Sequence, residues 1–280
     1  YNILQNAMAS AERIFIILDS QNHLPLPAGA TTQEGSDLGR IEEIHFQNVS
    51  FSYIAGETVL KDITFRVRAG ETVGVVGPTG SGKTTMINLI TRFYDPTSGR
   101  IRINGKDIRD LDPPVFRSKM ALVMQDPFLF SESIRNNIFR DNGHVSEKEM
   151  EKILTISNCK SVTDKLHDGP DTVLSEGGAS ISSGEKQLIS IARAFARNPQ
   201  LILFDEATSY IDSQTEIKIQ QALESLMQNR TSVIVAHRLS TVRHADRIMV
   251  VNHGRIIETG THDELMDRKG FYYRLHQLQG

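Results

Sequence analysis

The 280-residue chain carries 31 Lys and Arg against 34 Asp and Glu, a net charge of −3, with 39% hydrophobic and 23% charged residues. That balance, without a basic run, excludes a dedicated nucleic-acid binder, which presents an electropositive face. The single cysteine, Cys159, excludes an intrachain disulfide framework and a zinc site of several thiolates.

No apolar run approaches the roughly 18 to 20 residues of a membrane-spanning helix; the stretch Ile14–Leu18 stops after five. The chain as given is therefore expected to be soluble, with room for one large domain or two small ones. It begins at Tyr1 without a signal-peptide layout and reads as a piece of a longer polypeptide.

Leu4, Met8, Ala11, Phe15 and Leu18 recur at helical spacing, which predicts one amphipathic helix over residues 1–20. It is either a terminal helix packed on the domain or the tail of a longer helix. Residues 19–40 turn polar and rich in Pro, Gly, Ser and Thr, so 21–40 reads as a linker with a domain starting near 41. Near-alternation of Ile44, Phe46, Val49, Phe51 and Tyr53, and of Ile63, Phe65 and Val67, predicts half-buried antiparallel strands.

Thr72–Val76 is apolar almost throughout, as a strand buried on both faces requires, and runs into Gly77–Thr85 and a helix from Lys83 to about Arg92. Residues 131–198 form a helical insert, with Ser146-x-x-Glu149 opening a helix at 147–157 and Ser182-x-x-Glu185 opening another. Then come a buried strand at Leu201–Phe204, a helix at about 213–227 and a second buried strand at Ser232–Ala236. A hairpin follows around Asn252-His253-Gly254, and two short helices close the chain, the first capped by Thr261 with Glu264 three residues on. The expected fold is α/β, with a mostly parallel core sheet, an antiparallel β subdomain and a helical subdomain.

Gly77-Pro78-Thr79-Gly80-Ser81-Gly82-Lys83-Thr84 satisfies G-x-x-x-x-G-K-[ST], between the buried strand and helix that the motif requires. Its glycines let backbone N–H groups curl around phosphates, and the helix N-terminus adds partial positive charge. Lys83 supplies a full charge, and the Thr84 hydroxyl suits Mg²⁺. Some 120 residues on, the apolar strand ending in Asp205-Glu206 places two carboxylates where burial is costly unless a cation receives them. Asp205 can hold the Mg²⁺ shell through water. Glu206, pointing the other way along the strand, can activate an attacking water.

Residues 41–280 together resemble the nucleotide-binding domain of an ATP-binding cassette (ABC) transporter of the exporter type, in which a transmembrane domain precedes the cassette in one polypeptide. The resemblance rests on at least six ordered motifs. It implies that Tyr53 stacks on adenine and that Gly77–Thr85, through Thr85, hold the triphosphate. Gln125, in ALVMQD, then reaches Mg²⁺ and the attacking water. His237 contacts the γ-phosphate, Asp212 lies in a loop crossing to the opposing cassette, and Glu176 lies near the coupling helices. Taken singly, Tyr53 is a strand-surface aromatic, Gln125 a polar strand terminus and His237 a structural histidine.

The resemblance also implies an ATP-sandwich dimer, in which each signature segment binds the γ-phosphate held by the other cassette. Here the signature departs from L-S-G-G-Q, reading Ile181-Ser182-Ser183-Gly184-Glu185. Ser183 adds a side chain where phosphate must approach closely, and Glu185 puts a carboxylate near the triphosphate. Both are expected to weaken the partner's site, although Ser182 and Glu185 can simply cap their helix.

Since Tyr53, Lys83, Gln125, Asp205, Glu206 and His237 are all of the competent type, a heterodimer with one degenerate site is expected, on the cytoplasmic face of a membrane, exporting a drug or lipid-like substrate. The alternatives are a nucleotide-gated regulatory cassette with little hydrolysis, or a soluble ABC ATPase outside transport.

Overall fold

The computed structural model describes residues 2–19, 38–124, 126–140, 145–178, 180–205, 211–236 and 238–279. The linker reading for 21–40 lies outside them up to residue 37. Helix α1 (Asn2–Leu18) forms where the apolar period predicts it, but Met8, Phe15 and Leu18 are 66%, 60% and 70% exposed, so the domain leaves these three side chains uncovered.

Strands β1 (Glu43–Ser52), β2 (Thr58–Arg68), β4 (Ser98–Ile103) and β5 (Lys106–Asp107) make an antiparallel sheet in the order β2-β1-β4-β5. The strand β4 is an addition to the sequence reading. Ile101 and Ile103 face inward and Arg100 and Arg102 alternate with them.

The second sheet has six strands, from β3 (Thr72–Val76), β6 (Met120–Val123), β7 (Leu201–Asp205), β8 (Thr231–Val235), β9 (Arg247–Asn252) and β10 (Arg255–Gly260), ordered β10-β9-β3-β8-β7-β6. All neighbours are parallel except the β9–β10 hairpin. That hairpin turns at His253 and Gly254, with φ of 48° and 77°, the paired left-handed conformation that the Asn-His-Gly run favours. The mixed architecture agrees with the expected fold class.

The core strands are buried on both faces, and strict alternation splits them between two apolar clusters. Leu201, Leu203, Val233, Val235, Met249 and Val251 face the antiparallel sheet and helix α2 (Lys83–Ile90). Ile202, Phe204, Ile234, Ile248 and Val250 face the other layer, which includes Leu188, Ile191, Phe195, Leu223 and Tyr272. Continuous apolar strands of this kind need helices or sheet on both sides. Within the antiparallel sheet, the cross-strand pair Phe46 and Phe65 stacks at 4.4 Å.

After α3 (Pro113–Ser118), the helical part holds α4 (Ile134–Phe139), α5 (Glu147–Ile156), α6 (Lys160–Thr163) and α7 (Ser183–Arg197). Helix α8 (Ser213–Met227) packs on α7, where a Cβ on Gly184 would stand 2.4 Å from Thr215 Cγ2. The chain ends with α9 (Leu239–Val242), α10 (His262–Asp267) and α11 (Phe271–Gln279), α10 opening on the expected Thr261–Glu264 capping box.

Candidate nucleotide site

Two elements bring the predicted phosphate site together. The chain leaves β3 through Gly77 at φ 153° and Gly80 at φ 76°, and enters α2 at Gly82 in the left-handed region. The close approach at Gly77 is severe: a Cβ there would lie 2.0 Å from the Val251 carbonyl oxygen, so only glycine fits against β9. The loop is braced from behind by the β9–β10 turn, where Gly254 N–H donates to the Ser81 carbonyl at 3.1 Å.

Helix α2 has no side-chain N-cap and no acid in its first turn, so its orphan N–H groups and positive dipole end stay available to an anion. Inside the loop, the Ser81 hydroxyl is buried without a hydrogen-bond partner among the described residues. An uncapped helix end and an unpartnered buried hydroxyl fit a phosphate chain, which supplies acceptors to both.

Lys83 is 4% exposed, and its Nζ donates to the carbonyls of Gly77 and Pro78 at 2.8 and 2.9 Å. Burial pulls its ammonium below the ordinary lysine range, with the nearby Asp205 carboxylate opposing. Asp205 arrives there by parity: it continues the odd-numbered face of β7 (Leu201, Leu203) that is covered by α2. The Thr84 hydroxyl donates to Asp205 Oδ1 at 3.2 Å, which joins the two halves of the site across 121 residues of sequence. Two adjacent oxygen donors beside a phosphate loop suit Mg²⁺, which is held by one or two carboxylates plus substrate phosphates rather than by an acid cage. No cluster of three or more acids, histidines or cysteines with metal-binding geometry occurs among the described residues.

Tyr53 follows β1 and is 47% exposed. Its hydroxyl donates to Thr85 Oγ1 at 3.2 Å and accepts from Asn88 Nδ2 at 3.1 Å, so the ring stands over the first turns of α2. Asn88 carries no motif that marks it in the sequence. Helix α2 is pinned at its other end by Arg117, which donates to the Thr91 and Arg92 carbonyls at 2.8 and 2.6 Å.

The signature segment stands apart. Among the described residues no hydrogen bond or ion pair joins Ser182, Ser183, Gly184 or Glu185 to loop 77–85. Ser182 caps α7 in a reciprocal box: its hydroxyl accepts from Glu185 N–H at 3.2 Å, and Glu185 Oε2 accepts from Ser182 N–H at 3.0 Å. The other carboxylate oxygen, Oε1, meets Lys165 Nζ at 3.1 Å. Partial burial pushes Glu185 up, but hydrogen bonds from Ser182 and Lys165 outweigh it and hold the carboxyl below the ordinary range. Lys165, invisible to motif reading, is thus the counter-charge of the unusual signature glutamate. Asp212 caps α8 by accepting from Thr215 N–H at 3.0 Å. Gln125, Glu206 and His237 lie outside the described residues, as does the side chain of Glu176.

Residues 60–209 match the family model described as ABC transporter. The chain is 46% identical over 279 residues to the uncharacterized ABC transporter ATP-binding protein YfiC of Bacillus subtilis (strain 168), covering 100% of this chain and 46% of that protein. It is 44% identical over 279 residues to the ATP-dependent lipid A-core flippase of Syntrophus aciditrophicus (strain SB), covering 99% and 45%. The solved structure of a bacterial Atm1-family ABC exporter with ATP bound superposes with a TM-score of 0.85 at 34% identity, over 99% of this chain and 48% of that one. The chain spans about half the length of these relatives.

Proposed function

The chain belongs to the ABC transporter family, whose ATP-binding domains are ATPases, and on that premise we propose that it is the motor domain of an exporter. The observation that carries the reading is the Thr84–Asp205 contact at 3.2 Å beside the buried Lys83, which gathers phosphate-binding and cation-binding groups at one point. In this reading Tyr53 stacks the base, loop 77–85 wraps the triphosphate and Lys83 exchanges its two carbonyl partners for phosphate oxygens.

Thr84, Gln125 and, through water, Asp205 would hold Mg²⁺, which would supply charge neutralisation at the transferring phosphoryl group. Glu206 takes the proton of the attacking water and His237 steadies the γ-phosphate. The N-terminus of α7, Ser182 to Glu185, closes on the triphosphate of a second cassette. A transmembrane domain in the same polypeptide, continuing α1, converts that closure into export at the cytoplasmic face of a membrane. A lipid-like or drug-like substrate is in keeping with the lipid A-core flippase among the relatives.

A heterodimer with one weakened site is the finer form of this proposal. It is supported by Ser183 in the signature and by the commitment of the Ser182 hydroxyl to its own helix. The Lys165 partner of Glu185 limits the defect, because the carboxylate does not face a phosphate unneutralised. The test is ATP-dependent association of the Glu206→Gln chain, followed by light scattering, alone and mixed with a candidate partner cassette that carries an intact signature. Dimers formed with ATP and dissolved by its removal are expected, and mixed dimers should hydrolyse faster than homodimers in the unsubstituted proteins. A chain that stays monomeric with saturating ATP in both conditions contradicts the sandwich.

A further inference from the structure

Tyr53 is held more firmly than a surface aromatic needs to be. Its hydroxyl is satisfied on both sides, donating to Thr85 at 3.2 Å and accepting from Asn88 at 3.1 Å. Its ring meets Phe51 and Tyr94 at centroid distances of 4.7 and 5.0 Å, nearly perpendicular to each at 88° and 89°. Tip and body are thus both fixed, yet 47% of the residue remains exposed. The two tethering residues stand on α2, the helix whose N-terminus forms the phosphate cradle, so ring and cradle share one rigid mount.

We infer that Asn88 and Tyr94 are positioning residues that clamp Tyr53 as a preformed platform for a purine base at a fixed distance from the phosphate loop. The inference rests on the proposed role of Tyr53 and extends it to residues outside every nucleotide motif. Physically, a free tyrosine loses rotamer freedom when a base stacks on it, whereas a clamped one has lost that freedom on folding. Edge-to-face aromatic contacts and a two-sided hydroxyl tether are together strong enough to hold one rotamer. Asn88 and Tyr94 lie outside loop 77–85, so their part of the clamp acts on base affinity.

The test uses the 280-residue chain and two probes, ATP and inorganic tripolyphosphate, with affinities measured by calorimetry and turnover measured in parallel. Asn88→Leu, which removes the donor, and Tyr53→Phe, which keeps the ring but removes the tether, should each weaken ATP about three- to ten-fold. Asn88→Leu, outside the phosphate loop, should leave tripolyphosphate affinity unchanged, raise KM and spare kcat.

The double variant should lose no more than Tyr53→Phe alone, because Asn88→Leu deletes one of the two hydroxyl links that Tyr53→Phe removes. Tyr94→Ala should weaken ATP likewise, and the ring-preserving Tyr94→Phe should restore it. Equal losses for ATP and tripolyphosphate would overturn the inference, since the damage would then lie in the phosphate loop. Unchanged ATP affinity in Tyr53→Phe and Asn88→Leu beside weakened binding in Tyr53→Ala would refute the clamp alone. Unchanged binding in Tyr53→Ala would remove the base platform itself, and the clamp with it.

Discussion

Replacing Gly77 by alanine puts one methyl group where the fold has no room for it. The new Cβ would meet the Val251 carbonyl oxygen at 2.0 Å, its carbon at 3.1 Å and the Ser81 hydroxyl at 3.0 Å. An ordinary contact needs about 3.4 Å or more, so loop and strand must separate by more than an ångström. Neither can yield cheaply: Val251 is paired to Ile256 in the hairpin, and the loop is tied to the same turn through Gly254.

Forced overpacking costs about 1–3 kcal/mol, and a left-sided φ for a residue with a Cβ adds about 1–2 kcal/mol. The total is therefore about 2–5 kcal/mol, or a fall in Tm on the order of 10 °C for a domain of this size. Gly80 is the internal control, with φ 76° but nothing within 4 Å of its would-be Cβ, so Gly80→Ala carries the conformational cost alone. Thermal and urea unfolding of both variants, with ATP affinity measured beside them, checks this. Gly77→Ala should be the less stable by about 2 kcal/mol and should bind ATP poorly even where folded. Equal stabilities would refute the close-approach argument.

Lys165→Glu should lower dimer turnover several-fold without changing ATP affinity of the single chain, and adding Glu185→Gln should restore it. Persistence of the defect in the double variant would show that charge at the α7 N-terminus is not the cause. Asp95→Ala strips the carboxylate that stands 3.0 Å from the Arg92 guanidinium, a side chain 1% exposed. Loss of one partner of such a pair costs about 3 kcal/mol, readable by urea unfolding, and a loss below about 1 kcal/mol would show that the remaining partners of Arg92, among them the Leu111 carbonyl at 3.1 Å, suffice.

His262 Nδ1 lies 2.8 Å from the Tyr272 hydroxyl between α10 and α11. Burial first, then the positive charge of Arg243, hold it below its ordinary 6.5, with Asp263 opposing and His276 and His244 adding to the depression. The unfolded chain therefore takes up the proton first as pH falls. Its stabilising contribution is complete above about pH 6.5 and is lost below it. His262→Gln should flatten the fall in Tm between pH 7 and 5.5; an unchanged slope assigns that fall elsewhere.

Where local chemistry and tertiary packing agree, the fold was legible from residue types. Thr72–Val76 and Ser213–Met227 form as their apolar patterns require, and the two capping boxes at Ser182 and Thr261 close reciprocally. The strand β4 needed more, because its alternating Arg and Ile span only six residues and become a strand by pairing with β1.

In the site, strand parity already pointed Asp205 toward the phosphate helix, and the Thr84 contact follows from it. Asn88 and Lys165 could not be found that way. Their roles arise from partners 35 and 20 residues away, with no periodicity linking them. The signature shows the same limit: sequence spacing gives the capping box but not the lysine that neutralises its glutamate.

Loop 77–85 and the end of β7 together build the proposed hydrolytic ATP site. The most direct measurement is phosphate release from Mg-ATP by the chain and its Glu206→Gln variant, with ATP affinity determined on the same samples. The prediction is turnover in the first, loss of at least about a hundred-fold in the second, and ATP affinity retained in both. Equal turnover in the two proteins would contradict it.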